Sequence, residues 1–199
     1  MSSQGKKAAR AQARREAARR RERLRRWAMA AVGALVVLVA VVLALPDSEP
    51  EELAAVEVIP NLGQGHLAQG EAPPAYNSNP PTSGRHAVSS AECGIYIEEI
   101  PDENQVHNLE HGTIVIQYRA DLAEPDRIAL WDYARTKSSH ILVAPREGLD
   151  TAVAVSAWTR LLSLDTVDLD IIEVFYDRFA QRGPELGVTC PFTVDQAPG

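Results

Sequence analysis

Val106-His107-Asn108-Leu109-Glu110-His111-Gly112 runs without a break into Thr113-Ile114-Val115-Ile116-Gln117-Tyr118. The first seven residues hold two of the chain's five histidines, with a carboxylate between them. The next six place β-branched residues on both faces, the pattern of a strand buried on both sides. On a strand, side chains four residues apart stand roughly 13 Å apart, too far to share one ion. On a helical turn they are neighbours, about 5–6 Å between Cβ atoms. A shared cation therefore needs a turn of helix, or a kink, that closes at Gly112, a residue that tolerates left-handed geometry.

The elements on either side follow from pattern. A strand is expected over 94–97. Pro125 opens a helix over 125–135, with Ile128, Trp131 and Ala134 on one face and Arg135 near its end. A short buried strand over 141–144 is expected to stop at Pro145, and another strand lies within 152–158. The clearest helix is 165–182, with acidic residues in its first turn and Ile171, Ile172, Phe175 and Phe179 in one stripe before Gly183-Pro184. The order predicts an α+β fold: a single two-layer domain of about 130 residues, with its helices on one sheet face. No internal repeat is seen.

Upstream, residues 61–92 hold Gly63, Gly65, Gly70 and Gly84 together with Pro73, Pro74, Pro80 and Pro81. Breakers at that density predict an ordered loop without regular elements. Residues 46–60, acidic and Pro-flanked with a short mixed run, read as a spacer. The body of the folded domain is therefore expected over 61–199.

The N-terminal side has a different character. Residues 1–26 carry eleven Lys or Arg against two Glu, and 27–45 carry no charge at all. The rest of the chain holds nine Lys or Arg against twenty-five Asp or Glu, so the net charge of -7 hides a basic head and an acidic body. The uncharged run Ala28 to Leu45 reaches about 27 Å as a helix, enough with its flanks to cross a bilayer core. A cleaved signal peptide is the rival reading; the long basic region, the long apolar run and Leu45-Pro46 speak against it. The expected organisation is a cytoplasmic basic arm (1–26), one transmembrane helix (27–45), a spacer (46–60) and an extracytoplasmic domain. The positive-inside rule sets that orientation. The membrane accounts for the basic arm, so no nucleic-acid partner is expected.

Cys93 and Cys190 both fall in the exported part, where such a pair is expected to form a disulfide. Ligation of a metal by the two cysteines would lack any Cys-x-x-Cys spacing.

His66 and His86, in the Gly/Pro-rich loop, join His107 and His111 as candidate ligands. Four imidazoles can close a site; three leave one position open. Such a set suits a transition metal such as zinc or copper. Glu110 is a candidate ligand or, with Tyr96, a group that orients a ligand from behind. The competing reading makes these ordinary hydrogen-bonded polar residues in a loop-covered cleft. His140, just before a strand, reads as structural or exposed. His107 to His111 also fits H-x-x-E-H, a zinc-peptidase pattern. That pattern belongs inside a long helix, and the Gly112 stop argues against a peptidase.

Tyr76-Asn77-Ser78-Asn79-Pro80-Pro81-Thr82-Ser83-Gly84-Arg85-His86, Gly94-Ile95-Tyr96, Val106 to Gly112 with Tyr118, Ala144-Pro145, Ala157-Trp158 and Gly183-Pro184-Glu185 resemble the family called domain of unknown function 3105. The likeness covers roughly 58–187. The resemblance implies a histidine before the Pro-Pro loop, matched by His66, and a tethered bacterial envelope protein of the kind common in actinobacteria. It implies no established activity. It draws His66, His86, His107 and His111 into one functional set. Arg85 departs from it, standing where the family is expected to carry Pro. Two functions are therefore expected: an extracytoplasmic transition-metal-binding domain, or a non-catalytic module that docks to an envelope protein partner.

Overall fold

A computed structural model describes residues 21–29, 32–33 and 53–198. Residues 21–29 and 32–33 are helical and exposed (α1) and belong to a unit separate from the domain that follows. Most of the expected membrane span, 30–31 and 34–45, lies outside the described residues. Among those described, no helix is long and apolar enough to cross a membrane.

The domain is α+β. Its elements are β1 (Glu57–Val58), β2 (Cys93–Ile95), α2 (Asp102–Glu110), β3 (Ile114–Arg119), α3 (Glu124–Arg135), β4 (Ile141–Arg146), β5 (Val153–Ala157), β6 (Arg160–Leu164), α4 (Leu169–Phe179) and β7 (Phe192–Asp195). Seven strands form one mixed sheet in the order β1-β6-β5-β3-β4-β2-β7. β3, β4, β2 and β7 pair in parallel; β5, β6 and β1 extend the other side antiparallel.

The expectation of two layers with all helices on one face is corrected. Alternate residues of the central strands divide between two clusters. Ile114, Ile116, Ile141, Val143, Val153 and Val155 pack with Leu130 and Trp131 of α3 and Ile172 and Phe175 of α4. Val115, Leu142 and Ala144 pack on the opposite face with Leu109 of α2. Strand period two sends neighbours to opposite faces. A strand run apolar on both faces needs a cover on each, and α2 supplies the second.

Other boundaries shift for local reasons. β4 continues through Pro145 to Arg146, because β2 pairs only with Leu142 and Val143 and leaves the far side of Pro145 without a ladder to complete. The helix expected over 165–182 is shorter. Asp168 caps it, its carboxylate accepting from the N–H groups of Asp170 and Ile171, and residues 160–164 form β6. The domain also begins before residue 61. Leu53 is buried in the core, and Glu57 and Val58 pair with Leu161 and Arg160.

The expected disulfide is present, Cys93 to Cys190, and joins the start of β2 to the segment leading into β7. The loop 61–92 has no regular element, as expected; a single parallel bridge pairs His66 with His86.

Candidate metal centre

α2 settles the first question raised by the sequence. Asp102 and Glu103 sit in its first turn, where carboxylates complement the helix dipole. His111 caps its C-terminal end and donates its backbone N–H to the His107 carbonyl at 3.2 Å. Gly112 follows with φ +81°, the left-handed turn that ends the helix. His107 and His111 therefore stand on one turn, with ring centroids 4.4 Å apart.

Two strand-like segments of the long loop bring the other histidines. His86 donates its backbone N–H to Gly65 O at 3.0 Å, and Leu67 donates to His86 O at 2.7 Å. Gly84, with φ +125°, lies against the Tyr76 ring, where a Cβ would stand 3.3 Å from the ring edge. The Tyr76 hydroxyl donates to Arg85 O at 2.9 Å. Burial, with Glu103 and Asp102 nearby, pushes that hydroxyl up to about 12. The Arg85 guanidinium grips the Glu71 carboxylate in a forked pair and donates to His66 O at 3.1 Å. The Arg85 cation is thus paired with Glu71 and braces the segment carrying His66.

The rings of His66, His86 and His107 form a triangle, with centroid separations of 5.2, 5.1 and 4.9 Å. Nδ1 of His86 donates to Gly84 O and Nδ1 of His107 donates to Ala87 O, both at 2.8 Å. A carbonyl acceptor at Nδ1 places the proton there, and in the neutral ring Nε2 is left as a lone pair. This is how proteins orient metal-binding imidazoles. His86 is fully buried, and its Nε2 lies 2.9 Å from Glu110 Oε2 in a geometry too bent for a hydrogen bond. Two buried acceptors at that distance are satisfied by a shared proton or by a metal cation. Ligand atoms of His66, His86, His107 and Glu110 all lie within 4.8 Å of one another, so these groups can hold a metal ion.

His111 falls in a different group. Its Nε2 is 3.3 Å from Glu185 Oε2, and His107, His111 and Glu185 form a second set with ligand atoms within the same 4.8 Å limit. Sequence reasoning did not single out Glu185. The signal was its place in Gly183-Pro184-Glu185. Gly183 approaches the end of α2 so closely that a Cβ would stand 2.1 Å from Glu110 O. Gly183→Ala is therefore expected to cost about 1–3 kcal/mol by overpacking, read as a lower urea midpoint; an unchanged midpoint would contradict this packing. Tyr96 is not brought to the cluster. Its hydroxyl donates to Glu92 O at 2.9 Å, and its side chain packs against the cluster of Ile100, Leu109, Val115, Leu142 and Ala144. His140 is structural, buried, with Nε2 bonded to Val188 O at 3.0 Å. Of the residues in the H-x-x-E-H pattern, Glu110 faces buried His86 and His111 faces Glu185.

Burial lowers the proton affinity of His107, against the pull of the Ala87 carbonyl and with help from the neighbouring histidines. Burial lowers that of His111 as well, against Glu185 and Glu110. Folding therefore favours the neutral rings. Between the lowered folded values and the unfolded value near 6.5, the unfolded chain binds more protons. The stability of the metal-free protein is expected to fall as pH drops through about 6.5, seen as a falling thermal midpoint between pH 7 and 5.5. A flat profile over that window would contradict it.

Fold and cluster together define a class: a disulfide-linked α+β domain whose mixed sheet carries a histidine–carboxylate cluster between one helix and a Gly/Pro-rich loop. The chain belongs to the family described as Protein of unknown function (DUF3105), whose model matches residues 68–191. The match includes His86, His107, Glu110, His111 and Glu185 and begins two residues after His66. No curated protein and no solved structure matches the chain.

Proposed function

We propose that this protein is a membrane-tethered domain that binds one transition metal ion outside the cytoplasm. The observation that carries the proposal is the pairing of His86 and Glu110. Two acceptors stand 2.9 Å apart, buried and without a hydrogen bond between them, while His86 and His107 both commit Nδ1 to backbone carbonyls. The ligands are His66, His86, His107 and Glu110, three imidazoles and a carboxylate, a donor set suited to zinc or copper. The uncharged run 27–45 behind eleven basic residues supports a single span with the domain on the outer side. The disulfide fits an oxidising compartment.

The test is metal analysis of the full-length chain, purified gently in detergent, and titration of the stripped chain with zinc and copper. About one equivalent per chain is expected. A chain that carries no metal and takes up neither ion would refute the proposal.

A further inference from the structure

The two ligand sets share His107, and that sharing has a consequence. Nδ1 of His107 donates to Ala87 O, so the ring keeps a single lone pair, at Nε2. One lone pair binds one ion. The inner set (His66, His86, His107, Glu110) and the outer set (His107, His111, Glu185) therefore cannot both hold an ion through His107 at the same time. They are alternative stations for a single cation. We infer that His111 and Glu185 form an outer, transient ligand set through which the cation enters and leaves the inner set, with His107 bound throughout. The inference rests on the metal-binding reading above and assigns the route by which that site is filled.

The outer set is built rather than incidental. His111 caps α2 one turn beyond His107, and its ring stands 4.4 Å from the His107 ring, the shortest separation among the histidine ring pairs described. Glu185 donates its backbone N–H to Glu110 O at 3.1 Å, and Gln181 donates to Gly112 O at 2.8 Å. Glu110 thus offers its carboxylate to the inner set and its carbonyl to the loop that carries Glu185. The close approach of Gly183 locks the two together. Each set has one exposed ligand, His66 in the inner and Glu185 in the outer, and the inner set adds two deeply buried ones, His86 and Glu110. The His86 and Glu110 side chains are 0% and 9% exposed, those of His111 and Glu185 12% and 54%. A four-ligand site with a buried carboxylate holds an ion more tightly than a three-ligand site whose carboxylate stands in water. Stepwise replacement of ligands around His107 avoids stripping the ion bare. The competing route is direct exchange past His66, which is itself exposed.

The experiment loads the full-length chain in detergent with zinc and follows transfer to an excess of a chromophoric chelator. Glu185→Gln and His111→Gln are compared with wild type. Glu185 is more than half exposed and keeps its backbone bond in the variant, so folding is not at stake there. Release is expected to slow at least tenfold in each variant, while the equilibrium affinity changes by a smaller factor than in His86→Gln. Wild-type release rates in both variants would overturn the inference in favour of exchange past His66. Two zinc ions per chain would overturn it by freeing the sets from competition. An affinity loss in His111→Gln equal to that of His86→Gln would make His111 an ordinary ligand. A wild-type chain that binds no zinc would refute the metal-binding reading and this one together, whereas zinc bound with unaltered exchange refutes this one alone.

Discussion

His86→Gln is expected to lower zinc affinity by on the order of 10²–10³-fold, the share of one ligand when roughly 10–16 kcal/mol of binding is divided among four. The stripped variant is expected to be no less stable than the stripped wild type. His86 is buried, and its Nε2 faces the Glu110 carboxylate without a hydrogen bond, so the metal-free protein carries an unfavourable contact there. A glutamine amide can donate to that carboxylate and relieve it. Chelator competition measures the first effect and urea denaturation in excess chelator the second. Affinity within threefold of wild type would remove His86 from the ligand set. A stripped variant far less stable than stripped wild type would show that His86 serves mainly to hold the loop.

The second large effect concerns the disulfide. Replacing Cys93 and Cys190 with alanine is expected to destabilise the domain by about 4–5 kcal/mol at 25 °C, since the bond closes a loop with a sequence separation of 97. Cys93 begins β2, and Cys190 stands two residues before β7, which pairs with β2 along the same sheet edge. Without the bond, that edge is held by its ladder and by contacts such as Arg135 with Asp195, at 2.8 Å. Urea denaturation of the variant, and of wild type under thiol, measures the loss. A loss under about 1 kcal/mol would mean that the unfolded chain is already compact around these positions.

The legible part of the site was the part set by local geometry. His107 and His111 share a turn because they are four residues apart on a helix, and Gly112 ends that helix because the chain turns left-handed there. The Gly- and Pro-rich composition of 61–92 showed a loop without regular elements, and the structure has one. β6 and β7 were missed. β6 follows a turn at Thr159, whose φ of 59° no local residue pattern announces, and β7 is a short edge strand with half of its residues exposed. The two-layer expectation failed on α2: its spacing was noticed for the histidines, but Leu109, which buries against Val115 and Leu142, was not weighed as core.

The sequence by itself determined the family, the helices α3 and α4, the central buried strands and the cysteine pairing. The family follows from the motifs that resemble it; the others follow from composition, from short-range periodicity or from there being only two cysteines to join. Only the tertiary structure decided that Glu110 meets His86, that His66 joins them through a bridge with His86, that His111 turns instead to Glu185, and that Tyr96 stays away. Those meetings depend on loop segments docking onto α2 and on a glycine close enough to touch its last carbonyl. Such contacts are selected by packing over the whole domain, and no local spacing in the chain encodes them.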